Sequence, residues 1–198
     1  IYSWLPLYHD MGLIACFMLP LVFHIPVVMQ APTEWVVRPV TMLQLISAYR
    51  CTLSWVPNFA LQFLARRVRI DDRAGLDLSS LRAMVNCSEP VIPESMDEFL
   101  AAYTPHGLRP DALQSSYAMA ENVFAVTQSS LGSIPAVDDI DQETFLHHHL
   151  AQPAVADRPS MRMLSSGRSL SNTEIRILNE KGHALAEREI GEINLRSN

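Results

Sequence analysis

The chain has 198 residues, of which 48% are hydrophobic and 18% charged, and its formal net charge is −6. A chain of this size and apolar content can form one sizeable domain with its own hydrophobic core. The negative charge and the absence of basic runs argue against a nucleic-acid-binding protein. We interpret the one local group of arginines, Arg66, Arg67 and Arg69, as the solvated end of a helix.

The cysteines and the most apolar stretch of the sequence indicate in which cellular compartment the protein is expected. The three cysteines are widely separated and form no Cys-x-x-Cys pair: Cys16, Cys51 and Cys87. This pattern predicts reduced, buried thiols in a cytoplasmic protein, and the start of the chain lacks the basic leader of a secretory signal. Residues 11–28 are strongly apolar, but Pro20, His24 and Pro26 interrupt them, so we expect no membrane span.

Strand-like and helix-like segments alternate along residues 1–131. Short apolar or β-branched runs predict strands, which we place at residues 1–7, 26–29, 52–56, 81–85 and 112–116. Apolar residues at helical spacing predict helices, which we place at residues 11–21, 39–49, 59–67 and 93–103. The first helix is apolar all round and is expected to be buried, while the third is expected to point Phe59, Phe63 and Leu64 inward. Residues 120–126 fit either type. The alternation predicts α/β layers with a largely parallel sheet.

The pattern changes after residue 131. Residues 132–160 carry several aspartates and then His147, His148 and His149, and we interpret them as an inserted surface element with a short helix at residues 143–150. Three consecutive histidines point in different directions, so they are not expected to bind one ion. Residues 161–198 alternate in the manner of strands around a turn at residues 181–182 and predict the start of a β-rich subdomain.

The most informative segment for chemistry is SSYAMAEN at residues 115–122. It places an aromatic ring and a carboxylate four positions apart, beside small side chains. A ring can cover a nucleobase, small residues let the backbone approach phosphate, and a carboxylate can hold a divalent cation. Taken alone, this octapeptide is a weak signal, because Tyr117 also fits a half-buried strand aromatic and Glu121 fits an acid at a helix N-terminus.

Further segments resemble, in the right order, motifs of the adenylate-forming superfamily of acyl-activating enzymes, and most of all those of the fatty acyl-AMP ligases. The resembling segments are WLPLYHDMGLI at residues 4–14, VPNFA at 56–60, NCSEPV at 86–91, YAMAE at 117–121, and the blocks at 167–168, 174–177 and 191–193. The resemblance covers nearly the whole chain. It implies an α/β fragment of that family's large N-terminal domain, and it implies ATP, Mg²⁺ and a fatty acid as ligands.

The resemblance assigns roles residue by residue. It implies that Glu121 holds Mg²⁺ at the phosphates and that His9 donates a hydrogen bond to developing charge, as catalytic residues. It places Asp10, Met11 and Gly12 with His9 at the acyl carboxylate. It places Asn58 and Phe59 beside the acyl tunnel, where the rings and side chains of Trp55, Phe63 and Met18 either line a slot for a chain or pack as ordinary core.

The same resemblance implies an adenine site. Tyr117 is expected to stack on the base, and the remaining cofactor-binding residues follow from the two motifs: Cys87, Ser88, Glu89, Pro90, Ala118, Met119 and Ala120. Cys87 and Ala118 stand where the family has glycine, which permits positive φ and close approach to a ligand. This departure leaves open a non-catalytic adenylate-binding or scaffold module.

The spacing of the motifs bears on the branch of the family. Forty-six positions separate Glu121 from Gly167, and the resemblance implies that residues 132–160 are the insertion found in fatty acyl-AMP ligases. The expected product is then passed to a carrier-protein thiol, as in lipid or polyketide assembly, and the alternative is an acyl-CoA synthetase. The family's phosphate loop, ribose-binding Asp and catalytic Lys are not within this chain, so we interpret the chain as a fragment and expect it to be inactive by itself.

Overall fold

The structure, a computed structural model, describes residues 1–197. Its strands are β1 Tyr2–Ser3, β2 Val28–Met29, β3 Leu53–Val56, β4 Ala83–Asn86, β5 Leu113–Ala118, β6 Ala125–Gln128, β7 Val137–Asp141, β8 Ser160–Leu164, β9 Arg168–Ser169, β10 Thr173–Leu178 and β11 Glu192–Ser197. Seven of them form one sheet in the order β2-β1-β3-β4-β5-β6-β9. The five strands from β2 to β5 pair in parallel, and β6 and β9 join antiparallel. The predicted α/β layers with a largely parallel sheet are therefore confirmed.

The helices connect these strands. They are α1 Leu19–Val22, α2 Pro32–Val37, α3 Val40–Ala48, α4 Asn58–Arg67, α5 Pro93–Tyr103 and α6 Gln142–His148. A π-helix, Met11–Met18, precedes α1, and short 3₁₀ turns lie at Asp71–Arg73, Thr104–His106, Pro110–Ala112 and Ala120–Asn122. The predicted helices at residues 39–49, 59–67 and 93–103 are confirmed. Among residues 1–197, no helix combines the length and the apolar character needed to cross a bilayer.

The core is formed by the central strands together with residues of the π-helix, α2, α3, α4 and α5. All four residues of β4 are buried, as expected for a parallel strand covered on both faces. On the helices, Leu61, Leu64, Phe99 and Tyr103 are each 0% exposed. Each such side chain contributes about 1.5–3 kcal/mol relative to an exposed one. The Tyr103 hydroxyl donates to the Leu64 carbonyl at 2.8 Å, so its polar atom is satisfied inside the core.

The first predicted helix differs from its expectation. Residues 11–18 wind as a π-helix, and the Leu19 N–H donates to the Ile14 carbonyl five residues earlier. The expectation that residues 11–21 are buried on all sides is wrong, because four of the apolar side chains are exposed: Leu13, Phe17, Met18 and Leu21. An all-round apolar pattern cannot show which face packs against the sheet, and here only one face does.

Two other expectations need correction. The strand predicted at residues 1–7 is limited to Tyr2–Ser3, because the following segment turns toward the π-helix at Pro6. Phe59 was expected to point inward with Leu64 but is 46% exposed. It occupies the first turn of α4, where its ring lies with its edge toward Trp4 and Trp35, at 6.3 and 6.0 Å between ring centres.

The ambiguous segment at residues 120–126 is a 3₁₀ turn followed by the antiparallel strand β6. Val123 lies between them with φ +65° and ψ −50°, and the Phe124 N–H donates to the Asn122 carbonyl at 2.7 Å. This is a γ-turn with positive φ, which is rare and strained, and a β-branched residue makes it more so. The strain lies next to Glu121.

We expect Val123→Gly to raise the free energy of unfolding by about 1 kcal/mol. A side chain held at this φ costs about 1–3 kcal/mol, which glycine relieves. Part of this stabilisation is offset because glycine loses more backbone entropy on folding. The side chain is 66% exposed, so little packing is lost. Thermal unfolding of the parent and the variant measures the effect, and a lower melting temperature for the variant would contradict it.

Residues 132–160, the predicted inserted element, contain β7, α6 and the first residue of β8. The strands β7 and β8 pair antiparallel, and α6 lies between them in sequence. Asp141 begins α6 by accepting a hydrogen bond from the Thr144 N–H at 2.9 Å. The Arg162 guanidinium of β8 lies 2.6 Å from the Asp97 carboxylate of α5. This ion pair connects the β7–β8 sheet to α5. The predicted boundary at residue 160 falls at the start of β8, and the division into domains stays a prediction.

The final hairpin, β10 with β11, is antiparallel over six residue pairs. Arg188, between its two strands, contacts β7, since the Arg188 guanidinium lies 2.9 Å from the Asp138 carboxylate. The Ile190 N–H also donates to the His149 carbonyl at 2.9 Å. Residues 132–160 thus contact this hairpin, and β8, which begins at residue 160, contacts α5 through Arg162.

Candidate active site

A cavity of about 360 Å³ lies where three separate segments meet. Its lining residues are Ser88, Glu89, Pro90, Val91, Ser116, Tyr117, Ala118 and Ser166. A larger cavity of about 480 Å³ lies beside α2 and α3, but no predicted site residue lines it. Residues from two of the predicted motifs, NCSEPV and YAMAE, therefore share one cavity.

The sheet explains why these segments meet. β4 and β5 are parallel neighbours, and the chain leaves both at the same edge, at Asn86 and Ala118. In parallel α/β sheets the carboxyl ends of the strands form the usual ligand crevice. The pairing of β5 with β6 shifts register between Tyr117 and Ala118. Such a bulge bends the strand and redirects its side chains, here at the residues that line the cavity.

The two residues that stand where the family has glycine, Cys87 and Ala118, are accommodated without backbone strain of their own. Neither Cys87 nor Ala118 has a positive φ, and the left-handed residue of this loop is Ser88, at φ +69°. Cys87 is fully buried and does not line the cavity. Burial raises the pKa of its thiol to about 12, so the group stays neutral at physiological pH. A side chain at position 87 therefore does not occupy the space of a ligand.

The cysteines are all free and buried, namely Cys16, Cys51 and Cys87. Desolvation raises the pKa of Cys16 to about 11 and that of Cys51 above its ordinary value. Thiols in such surroundings are unreactive, because the thiolate is the nucleophile. None of the three is therefore suited to covalent catalysis.

The His9 segment approaches the cavity loop from the other side. The Met11 sulfur lies 3.1 Å from the Cys87 sulfur and 3.6 Å from the Ser88 hydroxyl, so the first motif contacts the NCSEPV loop. His9 Nδ1 lies 2.6 Å from the Asp10 carboxylate, and the His9 side chain is 49% exposed. The Met11 N–H also donates to His9 Nδ1 at 3.2 Å, so the contacts of this segment fix the ring through Nδ1 and not through Nε2. Asp10 also accepts from the Met11 N–H at 2.8 Å.

Gly12 serves the packing of this segment. A Cβ at this position would lie 2.2 Å from the Pro6 carbonyl oxygen, so the π-helix can start this close to the preceding turn only with glycine. His9, Asp10, Met11 and Gly12 do not themselves line the cavity. Met11 and Gly12 are buried, which leaves His9 and Asp10 as the parts of this motif that solvent can reach.

The remaining predicted residues are not among those that line the cavity. Met119, Ala120 and Glu121 follow β5, and Glu121 is exposed in the 3₁₀ turn. Within residues 1–197, no group of three or more His, Cys, Asp or Glu side chains is placed to hold a metal ion. A cation at Glu121 would therefore take its other ligands from substrate phosphates and water, which is the usual way that Mg²⁺ binds.

The residues expected at the acyl tunnel divide into two kinds. Asn58 is 3% exposed, and both its Nδ2 and its Oδ1 form hydrogen bonds within the protein. The Phe59 ring belongs to an aromatic cluster in which Trp4 and Trp35 stack at 3.9 Å, with Phe63 at 5.3 Å from Trp35. The cluster packs ring against ring, so the role of Phe59 toward an acyl chain stays a prediction.

Three lining residues were not among the predicted site residues: Val91, Ser116 and Ser166. Ser166 comes from the segment before β9, fifty positions beyond Ser116. Its carbonyl accepts from the Thr127 hydroxyl at 2.5 Å, and the neighbouring Ser165 carbonyl accepts from the Ser115 hydroxyl at 2.6 Å. The signal that could have indicated this segment in the sequence is Gly167. In the structure it has φ +90°, and a Cβ there would lie 2.0 Å from the Gln128 carbonyl carbon, so glycine lets this segment pass close to β6.

Comparison with known proteins agrees with this geometry. JamA of Moorena producens, a medium-chain fatty-acid–[acyl-carrier-protein] ligase, is 34% identical over 89% of the chain and 30% of its own length. The long-chain fatty-acid–AMP ligase FadD32 of Mycobacterium marinum is 34% identical over 99% of the chain and 32% of its own length. The chain thus spans about a third of the length of these curated relatives.

Solved structures give the same result. The fatty acyl-adenylate ligase of L. pneumophila, in complex with acyl adenylate and pyrophosphate, superposes with a TM-score of 0.94 at 32% identity. That alignment covers 99% of this chain and 34% of the other. The family described as AMP-binding enzyme matches residues 1–198, the full length of the sequence. The resemblance found in the motifs is confirmed, and the chain belongs to the AMP-binding enzyme family.

Proposed function

We propose that the complete protein activates a fatty acid as an acyl-adenylate with ATP and Mg²⁺. The observation that carries the proposal is the cavity of about 360 Å³, in which the NCSEPV loop, the end of β5 and Ser166 form one wall around Tyr117. Each wall segment offers backbone groups and small polar side chains, and Tyr117 offers a ring. These are the groups that a nucleotide base and its ribose need.

In the proposed reaction a carboxylate oxygen of the acid attacks the α-phosphorus of ATP, and the bond to the β-phosphate breaks to release pyrophosphate. Two anions must approach one another, so the reaction needs tight positioning, hydrogen-bond donors and a cation rather than a nucleophile. We assign His9 to the junction of the acyl carboxylate and the phosphate, with Asp10 orienting its ring. Tyr117 faces the base, and Glu121 holds Mg²⁺.

We further propose that the acyl group passes to the thiol of a carrier protein, in the cytoplasm, in lipid or polyketide assembly. The name of JamA describes a ligase that acts on an acyl carrier protein. Asp138 of the inserted element contacts Arg188 between β10 and β11, and β8, which begins at the end of that element, contacts α5 through Arg162. An element held on two sides restricts movement between them, and a second half-reaction that needs such movement would be hampered. The acyl-CoA synthetase reading is the competing one.

The test uses the complete protein with ATP, Mg²⁺ and fatty acids of several lengths, and it measures release of pyrophosphate and formation of acyl-AMP. Supply of either CoA or a holo carrier protein then shows which thiol receives the acyl group. We expect acyl-AMP and transfer to the carrier protein. Accumulation of acyl-CoA would favour the synthetase, and absence of any nucleotide binding would favour a non-catalytic module. That residues 1–198 by themselves form no acyl-AMP stays a prediction of the same assay.

A further inference from the structure

We propose that Asn58 is a positioning residue of the nucleotide cavity, which holds the loop of residues 86–92 in its binding conformation. This inference rests on the proposed function, because it assigns a role within the same cavity. It replaces the expected place of Asn58 beside an acyl chain with a place behind the cavity wall. The side chain is 3% exposed and is not among the residues that line the cavity.

The hydrogen bonds of Asn58 tie the two ends of the loop together. Its Oδ1 accepts from the Asn86 side-chain amide at 3.0 Å and from the Ile92 N–H at 3.1 Å. Its Nδ2 donates to the Ser95 hydroxyl in the first turn of α5 at 3.1 Å. One buried side chain at the start of α4 therefore joins the end of β4, the end of the loop and the next helix.

The cavity wall lies between these two anchored ends. Ser88, Glu89, Pro90 and Val91 all line the cavity and all belong to the loop. A third anchor lies in the middle, because the Glu89 carboxylate accepts from the N–H of Phe59 at 3.2 Å. Two consecutive residues of α4 thus hold the loop at both ends and at its centre. A wall held in this way is ordered before the ligand arrives, which avoids an entropic cost of binding.

Removal of the Asn58 oxygen leaves the loop without an equivalent partner. Asn86 is 0% exposed, and within residues 1–197 its Oδ1 has no hydrogen-bond partner, so the bond from its Nδ2 to Asn58 is the one that anchors its side chain. Buried donors without acceptors are costly, so the Asn86 amide and the Ile92 N–H would turn toward water and displace the loop. Binding of the nucleotide would then have to restore the wall.

The experiment compares Asn58→Leu, which has the same branching and the same number of side-chain heavy atoms but no polar ones, with Asn58→Asp in the complete protein. Aspartate keeps two acceptors, and the Ser95 hydroxyl can rotate to donate to the second oxygen. We expect Asn58→Leu to raise the Kd and the KM for ATP about tenfold, equivalent to about 1.4 kcal/mol, with the KM for the fatty acid little changed. We expect Asn58→Asp to restore most of the affinity. Hydrogen exchange at the Ile92 amide, measured without ligand, is expected to be faster in Asn58→Leu alone.

The controls separate this role from a general loss of stability. Ser95→Ala removes one of the three bonds and is expected to shift the Kd for ATP in the same direction by less. Asn179 accepts from the N–H groups of Lys181 and His183, each at 3.0 Å, in the β10–β11 hairpin. Asn179→Ala therefore breaks a comparable loop anchor away from the cavity, and we expect it to leave ATP binding at the parent value.

Two results overturn the inference: ATP affinity of Asn58→Leu equal to that of the parent, or a rise in the KM for the fatty acid instead of ATP. A failure of the proposed function reads differently, since the parent itself then binds no ATP. In that case the exchange rate of the Ile92 amide still decides the matter. Unchanged protection in Asn58→Leu refutes the holding of the loop, and lost protection supports it.

Discussion

Gly167→Ala is expected to lower the free energy of unfolding by about 3 kcal/mol, from backbone strain and overpacking together. Gly167 has φ +90°, and a Cβ there would lie 2.0 Å from the Gln128 carbonyl carbon and 2.2 Å from the Ser129 nitrogen. Both atoms belong to the backbone at the end of β6, so no side-chain rotation relieves the contact. The segment that precedes β9 would have to move away from β6. Thermal or urea unfolding of the complete protein measures the loss.

The same substitution is expected to weaken ATP binding, because Ser166 lines the cavity and is adjacent in the chain. Gly182→Ala is the matched control. Gly182 has φ +77°, but a Cβ at this position would have no atom within 4 Å, so alanine there costs backbone strain alone, about 1 kcal/mol. The difference between the two variants isolates the close approach to β6. Equal losses of stability at both positions would show that this approach carries no weight.

Glu121→Gln is expected to reduce kcat for acyl-AMP formation by about 10²-fold in the complete protein, in line with the removal of one electrostatic partner of a transition state. Glutamine keeps the shape of the side chain but not the charge that a hard divalent cation requires. Glu121 is exposed in its 3₁₀ turn, so the fold should tolerate the change. Pyrophosphate release over a series of Mg²⁺ concentrations is the measurement.

The Mg²⁺ series distinguishes the proposed role from others. If Glu121 holds the cation, the Mg²⁺ concentration for half-maximal activity rises in the variant, and high Mg²⁺ recovers part of the rate. The control is Glu143→Gln, which removes an acid from the first turn of α6 in the inserted element, away from the cavity. A Glu121 variant with parental activity and parental Mg²⁺ dependence would remove this residue from the proposed mechanism.

Local sequence patterns predicted the structure correctly where a single helix or a single motif contains all the residues that matter. The helix predicted at residues 93–103 has these bounds in the structure, because Pro93 opens it and Glu94 favours the positive end of its dipole. The NCSEPV and YAMAE motifs lead to a common cavity, because parallel strands end at the same edge of the sheet. The exposure of one face of the π-helix and the outward position of Phe59 were missed, since spacing does not show which face packs.

The amino-acid sequence by itself determined the α/β class, the membership of the family and the order of the motifs, since each depends on residues close together in the chain. The tertiary structure decided the place of Asn58, which bonds to Ser95 across 37 positions, and of Ser166, which accepts from Thr127 across 39. It also showed that Cys87 lies beneath the cavity wall and that Ser88 takes the left-handed conformation. Hydrogen bonds between distant residues leave no periodic trace in a sequence, so only the packed sheet and helices reveal which polar groups satisfy one another.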